Sequence, residues 1–501
     1  MTVPPEAAPD VPPEPTGRVP EPGLPGVICV ALVLSGMYAV ALVIAWSAPE
    51  LTARSPFVKL FLLPEPMPFR VTRILLPIGW CIAAVLGLVL LLTRRGGALE
   101  AHRAIHAWSE RAVRAACWWG IAAALLLPFV IMPLADMGGN APQLLLCLPP
   151  TLAALFLIHR VQLYRRMPGW LLLAGFGWGA LIAGGFGLAV ITALQRSVPG
   201  YFMAGSWERP LDGMRELYTL FPLGAAVVTE LGKAAGVVVL VLLFRRHIDG
   251  VVSGAVLGAG VGLGFNLTET VHYLAFVDSA HHAAQFWDRQ VVGLMTAHVA
   301  FTALAGAGIG AVRWLRARGD RLLAAGGGLL AAVGGHFETD VVLMQLDGHR
   351  ADWYADDTLG LLVGIPVMTV ITSGLFVALY VLILYLGLKA QAAGLSDALV
   401  AEAASGHGAV TEPEIGLLLS PRRRLLLELR VWRRDGIAGL CHLLRFQQAQ
   451  LDLAAQRWHS RRPGADSLIP PLPRLRRSVL ELKSVPAASG TPPMPAPEAT
   501  S

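Results

Sequence analysis

The chain has 501 residues, 55% of them hydrophobic and 15% charged, with a mean hydropathy of +0.58. A soluble protein of this length needs roughly a quarter of its residues charged, so these values exclude a soluble globular fold and indicate an all-α, polytopic helical membrane protein. The net charge of +6 comes mostly from arginines in short loops and the C-terminal region and is not a nucleic-acid signal.

The first 26 residues are rich in Pro and Glu, with Arg18 as their one basic residue. They lack the basic start and apolar core of a secretory signal and read as a disordered tail. Ten apolar runs follow, at about 27–46, 74–93, 116–135, 143–159, 170–194, 220–244, 251–276, 291–312, 322–344 and 358–386. Prolines at 128, 149, 150 and 366 are expected to kink these helices without ending them. The runs divide into a five-span region (27–194), a four-helix group (220–345) and a last span (358–386). Arginines gather in alternate loops, as in Arg160, Arg165, Arg166, Arg245, Arg246 and Arg313, and the loop "QLDGHRADWYADD" on the other side is acidic. The bias puts both termini in the cytoplasm. Cys29, Cys81, Cys117, Cys147 and Cys441 have no CxxC spacing, and four of them fall in apolar runs, so neither a disulfide frame nor a cysteine zinc site is expected.

Residues 387–501 form a basic tail, expected in the cytoplasm. Within it, Leu425, Leu429, Trp432, Leu440, Leu443, Leu444 and Leu451 recur at helical spacing among arginines over about 421–462. Two readings stay open: a basic amphipathic helix on the anionic lipid of the inner leaflet, or a helical hairpin packed on itself. The Pro/Ala/Ser-rich end after about 484 is expected to be disordered.

Most spans carry no ionisable group. The exceptions are Glu230 and Lys233 in the sixth, Glu269 in the seventh, His298 in the eighth, and His336 and Asp340 in the ninth. A charge at the bilayer centre costs about 2.5–3.5 kcal/mol, so a set of them calls for a use. Counted along antiparallel spans at 1.5 Å per residue, they fall in one layer roughly 6–15 Å from the outer boundary. Asn266 lies on the same stripe as Glu269 and suits a helix–helix hydrogen bond. His272 and Tyr273 suit an interface belt.

Four motifs carry these groups in order: "TELGK" (229–233), "FNLTE" (265–269), "HVAFTALAG" (298–306) and "HFETD" (336–340). Together they resemble the PrsW family of intramembrane proteases, relatives of the type II CAAX prenyl endopeptidases (the CPBP or Abi group). The resemblance covers about residues 220–345 and implies hydrolysis of membrane-anchored proteins near the outer face of a bacterial cell membrane. Implied substrates are single-span proteins resembling anti-sigma factors. The family's first motif is Glu-Glu-x-x-Lys, and Thr229 stands where its first Glu belongs. In the related endopeptidases that Glu activates water while the second Glu pairs with the basic residue, so Glu230 would neutralise Lys233 and Glu269 would serve as base.

The chemistry expected is therefore water activation by Glu269 with Glu230 beside His298, and oxyanion binding by His336, held by Asp340 one turn away. Thr229, Lys233 and Asn266 are supporting residues, and Thr229 suits a hydroxyl bonded back to its own helix. A second version holds Zn²⁺ with Glu269, His298 and His336 and leaves a position open for water. Two other functions remain: a noncatalytic scaffold, marked by Thr229, and a proton-coupled transporter, against which the absence of an internal repeat argues.

Overall fold

The computed structural model describes residues 23–47, 66–95, 103–203, 210–276, 282–345, 358–460 and 471–484. The expectations for the extreme N-terminus, the acidic 346–357 loop and the end after 484 lie outside these residues. Among the described residues every element is helical, and no strand occurs.

Six helices precede the polar layer, beginning with α1 (Leu24–Ser47), α2 (Met67–Arg95), α3 (Arg103–Gly139), α4 (Ala141–Arg160) and α5 (Gly169–Gly177). A π-helical turn, Trp178–Ala183, joins α5 to α6 (Gly184–Met203). The helices that carry the motifs follow: α7 (Pro210–Leu243), α8 (Val251–Phe276), α10 (Ala297–Ala311) and α11 (Arg318–Gln345), with the short α9 (His282–Trp287) before α10. The last long helix, α12 (Ile365–Ala403), leads into α13 (Glu412–Leu418), α14 (Pro421–Ser460) and α15 (Leu472–Ser484).

Among the described residues, nine segments are long and apolar enough to cross a membrane, which makes this an integral, multi-pass membrane protein. Ten were expected. The difference is α11, a 28-residue helix whose glycines, His336, Glu338 and Asp340 keep it below the apolar character of a spanning helix. It packs against α7, α10 and α12. Only one face is buried there, around Ala332 and His336, while Leu322, Leu323 and Leu330 are exposed.

The eighth span is not the continuous helix expected over 291–312. After α9 the chain passes through a π-turn, Asp288–Val292, then a tight turn before α10 begins at Ala297. Gly293 N–H donates to the Asp288 carbonyl (2.6 Å), and the Thr296 N–H and hydroxyl both donate to the Gly293 carbonyl (3.1 and 3.0 Å). These bonds satisfy backbone groups that lipid could not.

α8 is the central post. Buried residues make up 94% of its spanning window, in keeping with a helix apolar on every side. Its glycines set the distance to α10. A Cβ on Gly258 would overlap the Thr302 carbonyl, and one on Gly262 would overlap the His298 carbonyl. Bare backbone at these positions lets the two helices touch, the small-residue packing that replaces hydrophobic drive inside a membrane.

Beyond the membrane, α12 continues to Ala403 and its end is buried against α14 through Leu395, Ala398, Leu399, Leu451, Ala454 and Ala455. Glu402 accepts from Arg457 (2.6 Å) and Arg476 (2.7 Å), tying α12, α14 and α15 together. A capping box of Thr411 and Glu414 starts α13. The tail is a folded helical unit, and α14 bends at Gly436, whose φ of 68° suits only glycine.

An acid, basic and histidine set, with Asp249 and His459 buried, joins the tail to the membrane helices. Arg165, in the α4–α5 connection, pairs with Asp249 just before α8 (3.1 Å) and with Asp452 of α14 (3.0 Å). His459 of α14 stacks between Trp314 and Trp458, with ring centroids 4.5 and 4.7 Å away, and lies 3.6 Å from Asp249. Burial pushes the Asp249 carboxyl up, but Arg165 and His459 more than offset this and hold it below the usual carboxylate range.

Candidate metal and catalytic site

α7 presents Thr229, Glu230 and Lys233 toward α10 and α11. Glu230 and Lys233, three residues apart, form an ion pair with both side chains fully enclosed. Glu230 also lies 2.8 Å from His336 Nδ1 and 3.4 Å from the Thr302 hydroxyl. Lys233 Nζ reaches His298 Nδ1 at 3.3 Å and sits 4.4 Å from the centre of the Phe265 ring. A buried ammonium with a carboxylate, an imidazole and a π-face around it is compensated on each side.

Both histidines are oriented alike. His298, in the first turn of α10, faces Lys233 with Nδ1, and its Nε2 is 2.6 Å from Glu269 of α8. His336, on α11, faces Glu230 with Nδ1, and its Nε2 is 3.5 Å from Asp340 one turn along. Each ring thus turns one nitrogen to the centre and the other to a carboxylate. The ring centroids lie 5.1 Å apart. The carboxylates fix ring orientation and tautomer, as they do around metal-binding histidines.

Glu269 and Asp340 face the open side, with side chains 21% and 32% exposed, whereas Glu230 is sealed. All five residues singled out from the sequence, Glu230, Glu269, His298, His336 and Asp340, therefore lie in one hydrogen-bonded or ion-paired chain. The supporting residues join it. The Thr229 hydroxyl donates to the Ala225 carbonyl four residues back (2.9 Å), and its oxygen lies 3.1 Å from His336 Nδ1. Asn266 donates from Nδ2 to the Arg289 carbonyl (3.3 Å).

Arg289 is the site residue that sequence reasoning missed. It donates to Glu269 at 2.8 Å and lies over the Tyr273 ring at 4.0 Å. The π-turn that carries it is pinned on several sides: Gln290 bonds Thr270 and Thr151 (3.1 Å each), and Trp287 Nε1 donates to the Leu361 carbonyl (2.8 Å). The signal available was an arginine set against a predicted span, beside an amide. His272, expected as a belt residue, pairs with Asp136 of α3 at 2.9 Å.

One carboxylate and two imidazoles converge tightly enough to bind a cation. Glu230, His298 and His336 each offer a ligand atom, and these atoms lie within 4.8 Å of one another. The donor set of one oxygen and two nitrogens, with both rings backed by carboxylates, fits a zinc-type ion. The Lys233 ammonium is the cation now nearest these donors. Glu269, expected among the ligands, lies one bond farther out on His298 Nε2.

The comparison with protein families bears on the same helices. Residues 167–373 match the model of the PrsW family intramembrane metalloproteases. The segment is similar to PrsW-family sequence. The match starts at the α4–α5 connection and ends inside α12, wider than the 220–345 expected from motifs, and it contains every residue of the cluster. The PrsW match supports an intramembrane protease and gives the Glu/His/His group a metal-holding context. No curated protein and no solved structure matches the chain.

Proposed function

We propose that this protein is a PrsW-type intramembrane endopeptidase that hydrolyses a peptide bond in a membrane-anchored protein. The observation that carries the reading is the convergence of Glu230, His298 and His336 from three helices inside the PrsW-matched segment. In this reading Glu230, His298 and His336 would hold a divalent ion. When bound, such an ion supplies Lewis acidity to a carbonyl oxygen and makes a nearby water easier to deprotonate. His336 is thus assigned to holding the ion, and not to the oxyanion binding expected from the sequence.

Glu269 acts as proton acceptor. Its carboxylate is the partly open one next to His298, and Arg289 fixes its position. The same group then returns the proton to the leaving amine. Asp340 and Glu269 hold the two rings in the tautomers that leave Nδ1 facing the centre. Sealing by Phe265, Thr302 and the α8–α10 contact keeps bulk water away from Glu230 and Lys233, where fixed charges act most strongly. A single-span protein resembling an anti-sigma factor, entering from the Glu269 and Asp340 side, is the proposed substrate class. A bacterial cell membrane with both termini in the cytoplasm is the proposed setting.

A cleavage assay tests this. The full-length protein is reconstituted with a panel of tagged single-span proteins. Wild type should yield a cut product, and Glu269→Gln and His298→Ala should each lower the rate by about 100-fold or more. Product formation unchanged in both variants would refute the proposal. The scaffold reading has one specific observation in its favour, Thr229 in place of a carboxylate. It predicts substrate retained but uncut by wild type, with cutting gained in Thr229→Glu.

A further inference from the structure

The first half of α14 buries two charged residues and turns a leucine–tryptophan stripe outward. Between Pro421 and Asp435 the buried residues are Arg424 and Glu428, 4% and 8% exposed. Arg424 donates to the Leu163 carbonyl, and Glu428 pairs with Arg160 at 3.5 Å. Leu425, Leu426, Leu429 and Trp432 are 48%, 54%, 39% and 50% exposed. At about 100° per residue, Trp432, Leu425 and Leu429 fall on one stripe. Exposed arginines at 422, 423, 430, 433 and 434 occupy the adjoining arc.

A helix packed on protein and otherwise bathed in water would bury this apolar stripe and leave Arg424 and Glu428 outside. Position explains it. Arg160 is the last residue of α4, a membrane-spanning helix, and Leu163 lies three residues beyond. The anchoring bonds therefore hold this half of α14 at the edge of the bilayer. At Gly436 the chain bends away, and the second half buries Leu451, Ala454 and Ala455 against α12. Leucines, a tryptophan and an arginine arc at headgroup depth are complementary to acyl chains below and phosphates above.

We infer that Pro421–Asp435 is an interfacial helix that binds the anionic phospholipid headgroups of the leaflet bounding α4. Its arginines take the phosphates, and Leu425, Leu429 and Trp432 enter the acyl boundary. The inference is independent of the proteolytic reading.

The test uses the full-length protein with exposed Cys29, Cys81 and Cys441 changed to alanine and an environment-sensitive dye placed at Leu429→Cys. A control carries the dye at Leu480→Cys on α15. Each is reconstituted in phosphatidylcholine vesicles with and without phosphatidylglycerol. With phosphatidylglycerol, quenching at position 429 by neutral aqueous acrylamide should fall by about threefold, and quenching by a nitroxide lipid should rise. The 480 control should not change, and changing Arg422, Arg423, Arg430 and Arg433 to Gln should abolish the dependence. Quenching independent of phosphatidylglycerol would overturn the inference. So would protection in detergent that grows with protein concentration, which would mean that a second copy covers the stripe.

Discussion

Glu230 and Lys233 show what a membrane interior demands of single residues. Both are fully buried, so each is tolerable only because the other is present. In metal-free protein, Lys233→Met removes one partner and leaves Glu230 charged without its counterion. The expected loss is about 3 kcal/mol or more, read as a lower midpoint in thermal or denaturant unfolding in detergent. A loss smaller than that of Leu240→Ala would contradict the pairing. Thr229 has a different job: its oxygen lies against His336 Nδ1 while its hydroxyl is tied to its own helix. Thr229→Val keeps the shape and removes the oxygen, so kcat should fall about tenfold with KM unchanged. At this scale the sequence was informative where spacing alone places a group, as in Glu230 with Lys233 and His336 with Asp340. It was silent on Arg289, whose contact with Glu269 depends on a turn 20 residues away in the chain.

Among the elements, the glycines of α8 decide where Glu269 and His298 stand. Backbone contact at Gly258 and Gly262 is readable from the small-residue spacing, and it is realised against α10. Gly262→Leu should wedge α8 from the His298 carbonyl and cost about 2 kcal/mol or more in unfolding stability. Cleavage should fall further than that loss explains, because Gly262 abuts the backbone of His298, which bonds Glu269 about two turns along α8. Equal losses in stability and activity would argue against a positioning role for the contact. The break before α10 was not legible. Gly293 and Thr296 sit within an apolar run, and only the surrounding helices reveal that the chain turns there. The glycines and the His336, Glu338 and Asp340 side chains of α11 act in the other direction and take an apolar run below the character of a span.

At the scale of the whole molecule, the site and the tail occupy opposite ends of α8. Glu269 lies 18 residues beyond the start of that helix, about 27 Å away along the axis. The linker at the tail end is sensitive to acid. Burial, then Arg246 and Arg165, hold the His247 imidazole down at about 4 against the usual 6.5. Since an unfolded linker takes up the proton first, its stability should decline as pH falls through 6.5 and reach its floor near 4. Amide exchange over residues 245–250 should therefore differ between wild type and His247→Gln in how it changes across that window, with no difference in trend above it. The folded tail was only half legible. Helical spacing foretold α14, but its packing on α12 and its bend at Gly436 arise from partners distant in the chain.

The proposal that Glu230, His298 and His336 form one metal-holding centre is tested most directly by the metal content of the purified protein. Elemental analysis of the wild type after mild dialysis should find about one divalent ion of zinc type per chain, and His336→Ala should retain less than about a tenth of it. Wild-type protein that cuts substrate while holding no stoichiometric metal, or His336→Ala holding as much as wild type, would contradict it.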